Sequence, residues 1–319
     1  MKFLAQMDEM MSVNIDTDST FAILLEAQNR GHEIFYYLPS DLNFDFTAKK
    51  LSAVVKKIRL KNQKGNHCEI LETKEQDLTK FDVILVRQDP PFDMNYITST
   101  YLLEKIKDQV LILNNPSEIR NCPEKIFISD FPDLTPPTLV TSSLKQIRTF
   151  QDEHENIILK PLYFCGGEGV TLIKNGDSNL GSIFEMMMKT YASPIIAQKF
   201  LPEISNGDKR ILLVDGVAVG GISRIAQAGE VRANLHVSGN VAQKLELSKR
   251  DQEICNRIGG ELKKRGLFFV GIDVIGDYLT EINVTSPTCI PEVNRLNGGR
   301  IEEVVVEKIE ESIKSHVSC

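Results

Sequence analysis

Two short runs without a polar residue, Val83-Ile-Leu-Val86 and Val110-Leu-Ile-Leu113, limit the architecture of this chain more than any other feature. Strands of this kind sit inside a parallel sheet covered on both faces, because a solvated face would demand alternation. An opening strand, Lys2 to Gln6, leads to a helix that Asp18 or Ser19 caps, with Phe21, Leu24 and Leu25 on one face and Gly31 as its stop. A second strand, Glu33 to Leu38, follows at once, so residues 1–122 read as one α/β domain. Pro132, Pro136 and Pro137 mark a break before a smaller middle unit, 123–200, with strands near Leu139, over Ile157 to Lys160, and near Ile195 to Gln198. From residue 201 to 319 the pattern turns to hairpins. Ile211-Leu-Leu-Val214 turns at Asp215-Gly216 into Val217 to Ile222, and helices are expected over Lys249 to Arg265 and Ile301 to Ile313. The length of 319 residues suits three modest α/β units, and no internal repeat is present.

Charge and cysteine usage narrow the partners. A net charge of −7 gives no general attraction for nucleic acid or an anionic membrane, so an anionic ligand needs a local cluster of Lys and Arg. Asp8 and Glu9 interrupt the opening before a signal-peptide core could form, and no later run approaches a membrane span, which predicts a cytoplasmic protein. The six cysteines lack C-x-x-C spacing, which argues against a zinc ribbon or a disulfide scaffold. The five histidines show no metal spacing, and no histidine stands beside Cys165 or Cys289 in sequence to make a thiol nucleophile.

Three constellations carry chemistry. In Gly271-Ile-Asp273-Val-Ile-Gly276-Asp277-Tyr-Leu-Thr-Glu281-Ile-Asn283, the Gly276-Asp277 turn sets Asp273 and Glu281 on adjacent antiparallel strands, while Glu281 and Asn283 share a face. A few carboxylate and amide oxygens on one surface suit Mg²⁺, which keeps its other positions for water and phosphate. A solvated hairpin face is the competing reading, although the apolar flanks Phe268-Phe-Val270 and Val274-Ile275 make unpaired acids less natural there. The second constellation is Lys160 at the end of an apolar strand, followed by Gly166-Gly167-Glu168-Gly169, a pairing able to hold a polyphosphate through one ammonium and several backbone N–H groups. A G-x-x-x-x-G-K-[ST] loop and an early G-x-G-x-x-G are both absent, which removes a P-loop or nicotinamide enzyme. The third is cationic: Arg210, Arg224 and Arg232 near the hairpin, with Arg87 and Lys125 farther back, together fit an anion site.

Taken together these residues resemble the ATP-grasp superfamily, and within it the bacterial glutathione synthetase family. The resemblance rests on Asp18-Ser-Thr-Phe-Ala22, Arg87-Gln-Asp-Pro-Pro-Phe-Asp93, Asn114-Asn-Pro-Ser117, Asp208-Lys-Arg210 and Leu279-Thr-Glu-Ile-Asn-Val-Thr-Ser-Pro-Thr288, in order and spacing, from about Asn14 to Ile290. It implies an ATP-grasp fold of three α/β subdomains with an N-terminal Rossmann-like domain, and a homotetramer. It further implies an enzyme that uses ATP and Mg²⁺, or Mn²⁺ in its place, to join γ-glutamylcysteine to glycine through an acyl phosphate, releasing ADP and phosphate. By that resemblance Lys125, Lys160, Gly166, Gly167 and Asp208 meet ATP, with Gln198, Lys199, Phe200 and Leu201 at the adenine. Asp273, Glu281 and Asn283 hold the metal, Arg210 faces the transferred phosphate, and Arg87, Arg224, Arg232, Asn234, Ser286 and Thr288 line the peptide site. The polar stretch Ala226 to Gln243 is expected to close over the acyl phosphate. Another ATP-grasp ligase with a different acid or amine is the nearest alternative. A nucleotide-binding regulator that has lost turnover is a more distant one, since it would have less need of every metal and phosphate group.

Overall fold

A computed structural model describes residues 1–227, 230, 232–235 and 239–317 of the chain, and three sheets organise them. The first is built from β1 (Lys2–Gln6), α1 (Ser19–Asn29), β2 (Glu33–Tyr37), β3 (Leu42–Asp45), β4 (Lys50–Leu60), β5 (Cys68–Asp77), β6 (Val83–Val86), α2 (Met94–Glu104), β7 (Leu111–Leu113) and α3 (Pro116–Asn121). β1 pairs in parallel with β2 and β6, and β6 with β7. All four residues of β6 are buried, as an apolar run in a covered sheet requires. The Asp18 side chain caps α1 by accepting the Phe21 N–H at 2.6 Å. Beyond β2 the sheet continues antiparallel through β4 to β3 and β5, strands that the apolar pattern does not announce. β5 is an almost wholly exposed edge, so pairing with β4 fixes its conformation where burial does not.

The second sheet comprises β8 (Thr138–Thr141), α4 (Leu144–His154), β9 (Ile157–Pro161), β10 (Thr171–Ile173), α5 (Leu180–Tyr191) and β11 (Ile195–Lys199), with strand order β10-β9-β11-β8. Ile157 and Leu159 point into a core closed by Ile147 of α4 and Phe184 and Met187 of α5. By the two-residue period of a strand, Ile158 and Lys160 must face the other way, toward the third sheet.

The third sheet contains β12 (Asp208–Val214), β13 (Val217–Ile225), β14 (Val241–Lys244), α6 (Lys249–Lys264), β15 (Phe269–Ile275) and β16 (Tyr278–Asn283), followed by α7 (Ile290–Asn297) and α8 (Ile301–Val317). Its order is β14-β13-β12-β15-β16, antiparallel throughout. Asp215 and Gly216 both take positive φ, the conformation of a tight hairpin turn. Ile211, Leu213, Ile272 and Ile282 pack on one face against Ile254, Ile258 and Leu262 of α6. Phe127, Ile128, Phe131 and Leu134 complete that same core, so the segment entering the middle unit is anchored on the third sheet. On the opposite face Leu212, Val214 and Phe269 join one core with α1, α7 and α8, which ties the first and third sheets together. That face continues past the apolar contact as Arg210, Asp208 and Asp273, which stand free of the core and look toward the second sheet.

Candidate active site

Strand register assembles the charged part of the site. Arg210 is the partner of Asp273, Asp273 of Glu281, Gly271 of Asn283, and Asp208 of Arg224, so six functional side chains share one sheet face. A bulge beside Asp273 leaves Thr280 unpaired in the ladder, where its hydroxyl donates to the Asp273 carbonyl at 3.1 Å. The Arg210 guanidinium grips Asp273 through two nitrogens, the second at 2.9 Å, and Arg224 reaches the same carboxylate at 3.0 Å while also pairing with Asp208. Burial works against the Asp273 charge, but Arg210 and Arg224 outweigh it and hold the carboxyl far below the ordinary range. For Asp208 burial prevails over the pull of Arg224, and its carboxyl is pushed up to about 7.

Above this face lies a cleft of about 780 Å³ between the second and third sheets. Lys160 and Ile158 reach it from β9, Gly166 and Gly167 from the following loop, and Gln198, Lys199, Phe200 and Leu201 from the end of β11. Lys125, Asp208, Asp273 and Glu281 complete its charged wall. Lys160 Nζ donates to Gln198 Oε1 at 3.0 Å, and burial pushes its ammonium below the ordinary lysine value. Lys125 Nζ donates to the Phe164 carbonyl at 2.6 Å and stands 3.6 Å from Glu281. Burial opposes the charge of Lys125, yet Glu281 and Glu124 more than compensate and raise its pKa. All the residues expected at the nucleotide therefore meet in one cavity.

A second, more open cleft of about 1590 Å³ adjoins the first and shares Gly166, Asn234 and Glu281 with it. Arg210, Arg224, Asn283, Ser286 and Thr288 form its wall on the third sheet, and Asn14, Thr17, Asp18 and Asp89 its wall on the first. Two residues expected at the peptide site lie elsewhere. Arg87 is spent on structure: it donates to Thr20 Oγ1 and to the Pro287 carbonyl, both at 2.9 Å, and its guanidinium lies over the Phe269 ring. Arg232 lines the nucleotide cleft and pairs with Glu230, two residues away. Of the expected closing segment Ala226 to Gln243, residues 228, 229, 231 and 236–238 lie outside the described residues. Its described part is tied together by Asn240, which donates to the carbonyls of Arg232 and Asn234 at 2.7 and 2.9 Å. Among the described residues no histidine lines either cleft.

Sequence reasoning gave no site role to Glu124, Thr285 and Asp89, all of which line the open cleft, nor to Asp18, which it read as a helix cap and as part of a family motif. The clue to Glu124 was its place next to Lys125. Its carboxylate accepts the Thr285 hydroxyl at 3.0 Å, and burial raises its pKa against the counter-pull of Lys125.

The metal reading can be tested against the donor set. Asp273, Glu281 and Asn283 present oxygen donors on one surface, and the buried Asn283 amide nitrogen lacks a hydrogen-bond partner, so this amide is not committed to the fold. Among the described residues no three His, Cys, Asp or Glu gather as a self-sufficient metal cage. Two carboxylates and an amide fit Mg²⁺, which takes few protein ligands and fills its shell with phosphate and water.

Known proteins agree with this architecture. Residues 1–120 match the model for the prokaryotic glutathione synthetase N-terminal domain, and residues 124–298 that for the prokaryotic glutathione synthetase ATP-grasp domain. The chain is 49% identical over 310 residues to a glutathione synthetase of Brucella melitensis, covering 97% of this chain and 98% of that protein. It is 43% identical to one of Vibrio parahaemolyticus, covering 97% of each. Among solved structures, the D-cycloserine synthetase DcsG superposes with a TM-score of 0.67 over 96% of this chain and 99% of that one. At 14% identity that likeness bears on the fold alone.

Proposed function

Since this chain belongs to the prokaryotic glutathione synthetase family, we propose that its two adjoining clefts hold ATP and γ-glutamylcysteine end to end for ligation to glycine. The enzyme is an ATP-dependent carboxylate–amine ligase. A carboxylate resists attack by an amine, and phosphorylating it supplies a leaving group. ATP lies in the smaller cleft, its adenine beside the apolar Ile158, Leu201 and Ile275 and its phosphates near Lys125, Lys160 and the Gly166-Gly167 backbone. The dipeptide carboxylate faces Arg210 and Arg224 in the open cleft, with Ser286, Thr288 and Asn234 around the rest of the peptide. Arg87 then serves behind the wall by holding the Pro287 carbonyl.

The observation that carries this reading is the sharing of Gly166, Asn234 and Glu281 by both clefts, because it brings the end of a triphosphate to the carboxylate to be activated. Asp273, Glu281 and Asn283 would hold Mg²⁺ there. When bound, the ion supplies charge neutralisation for the terminal phosphates. The chain's own part is electrostatic. Arg210 is held in place by Asp273 before substrate arrives, so it needs little reorganisation when charge shifts onto the transferred group. The described part of the segment at 226–243 borders the same junction and suits exclusion of water from the acyl phosphate.

We place the protein in the cytoplasm as a homotetramer; among the described residues no helix is long and apolar enough to cross a membrane. Sedimentation reads the assembly. The function is tested by measuring phosphate release with ATP, γ-glutamylcysteine and a panel of amines. Glycine-dependent release with ADP as the nucleotide product is expected. AMP as the main product, or release that ignores glycine, would overturn the acyl-phosphate ligation.

A further inference from the structure

A side pocket of about 360 Å³ opens beside the reaction centre. Pro90, Glu124, Cys165 and Thr285 line both this pocket and the open cleft, so they form the passage between them. Beyond that passage the walls are largely apolar, from Phe92, Ile119, Leu162 and Tyr163. Among the described residues only two charged side chains line the pocket, and Lys125 is engaged by the Phe164 carbonyl and Glu281. That leaves Glu124. Its carboxylate is partly buried and receives a hydroxyl hydrogen bond from Thr285, yet it has no ion-pair partner among the described residues. Lys125 acts on this carboxylate without a direct ion pair, burial still disfavours its charge, and a cation arriving in contact offsets that loss.

The ligase reading above requires such a cation. An amino acid reaches the enzyme with its amine protonated; that ammonium must settle next to the activated carboxylate without meeting the arginines that hold the acid, and it gives one proton to solvent water before its nitrogen attacks and phosphate leaves. The other carboxylates of the cleft are less suited. Glu281 belongs to the proposed metal set, Asp18 uses one oxygen to cap α1, and Glu292 is the acid in the first turn of α7, where the helix N-terminus favours its charge. Asp89 stands on the first-sheet wall and does not line the side pocket, whereas Glu124 lines both the pocket and the open cleft and directly precedes Lys125. We propose that Glu124 anchors the ammonium group of the amine substrate at the mouth of this side pocket; the assignment rests on the ligase reading.

The test compares two nucleophiles in wild-type enzyme and in Glu124→Gln, which keeps the length and the acceptor for Thr285 but removes the charge. Glycine arrives as a zwitterion whose amine is a cationic ammonium, whereas hydroxylamine is largely uncharged near neutral pH and traps an acyl phosphate as a hydroxamate. In Glu124→Gln the kcat/KM for glycine should fall about 100-fold, mainly through KM, as expected for losing a desolvated charge partner. Hydroxamate formation and the KM values for ATP and dipeptide should stay within about twofold. An unchanged glycine KM, or an equal loss with both nucleophiles, would overturn the assignment; the second result would mean that Glu124 only buttresses Lys125 and Glu281. Glu124→Asp, which keeps the charge one methylene back, should restore about half of the loss on a logarithmic scale. Should Glu124→Gln fail to show a Mg-ATP thermal shift, Thr285→Val takes its place, because it removes the hydroxyl that aims the carboxylate. A higher KM for glycine with hydroxamate formation intact is expected there too, and an unchanged glycine KM would count against the site. Absence of glycine-dependent phosphate release in wild-type protein would overturn the ligase reading and the amine site with it.

Discussion

Arg210 and Asp273 are register partners on neighbouring strands, and their side chains meet in a two-pronged ion pair that Arg224 shares from the next strand over, 3.0 Å from the same carboxylate. The pair makes Arg210 rigid, and the sharing makes the two partners unequal. Removing Arg210 leaves Asp273 still paired with Arg224. Removing the Asp273 charge leaves two buried guanidiniums with only Asp208 between them.

That asymmetry gives a measurable contrast. Arg210→Ala should lower kcat by about 100-fold, the usual effect of losing one preorganised donor to a developing charge. Asp273→Asn should lose activity and also stability, by about 3 kcal/mol or more, since it strands buried like charges. Urea denaturation of the two variants decides it. A stability loss for Arg210→Ala as large as that for Asp273→Asn would show that Arg224 does not stand in.

Lys160 is buried at the end of β9 and held by Gln198. Its ammonium is disfavoured by burial in the free protein, and phosphate oxygens would restore the lost solvation. Lys160→Ala should therefore weaken ATP binding by about 100-fold. Destabilisation should be modest, because the change removes a charge that burial disfavours. Titration calorimetry with the non-hydrolysed nucleotide reads the affinity, and an unchanged Kd in a folded variant would remove Lys160 from the phosphate site.

Much of this site was legible because antiparallel register follows from local signals. The Gly276-Asp277 turn sets β15 against β16, and period-two alternation then puts Asp273, Glu281 and Asn283 on one face. Lys160 reaches the cleft for the same reason, with Ile157 and Leu159 inward and Lys160 outward. What stayed hidden depends on contacts distant in sequence. Arg87 follows an apolar strand much as Lys160 ends one, yet its guanidinium is used up by Thr20 and the carbonyl of Pro287, 200 residues away. Glu124 meets Thr285 only because the entry to the middle unit returns to the edge of the third sheet. β5 left no apolar alternation, its adjacent Ile70 and Leu71 both being exposed like nearly the whole strand.

The first domain offers a pH dependence remote from the chemistry. Glu104 at the end of α2 is hydrogen-bonded by Arg120, whose guanidinium also lies 4.2 Å from the centre of the Tyr101 ring. The hydrogen bond with Arg120 lowers the Glu104 pKa, burial opposing it. A carboxyl depressed in the folded state adds stability above its unfolded value and loses it as pH falls through the folded one. Glu104→Gln should thus lower stability at neutral pH, by under about 1 kcal/mol for this part-exposed pair. It should lose less than wild type between neutral and acid pH. Scanning calorimetry across that range checks the sign, and parallel curves would remove Glu104 from the acid limb.

The final expectation concerns the loop over the phosphates. Gly167 has φ +80°, and a Cβ there would stand 2.8 Å from Asn234 Oδ1 and 3.4 Å from Arg232 Cβ. Asn234 belongs to both clefts, so this contact is where the glycine-rich loop meets the wall of the nucleotide site. Gly167→Ala therefore suffers two effects: backbone strain of about 1 to 2 kcal/mol from a left-handed conformation, and a contact that makes the Asn234 side chain turn away from the loop. Gly176 separates them. It has φ +76° but nothing within 4 Å of an added Cβ, so Gly176→Ala carries the strain without the collision. Both variants should show similar small losses in urea denaturation. Only Gly167→Ala should raise the KM for ATP, by about tenfold, and lower kcat, since a displacement near 1 Å in a positioning element is enough to impair phosphoryl transfer. Identical kinetics for the two variants would mean that the loop closes without touching Asn234, and the junction between the clefts would then need another wall.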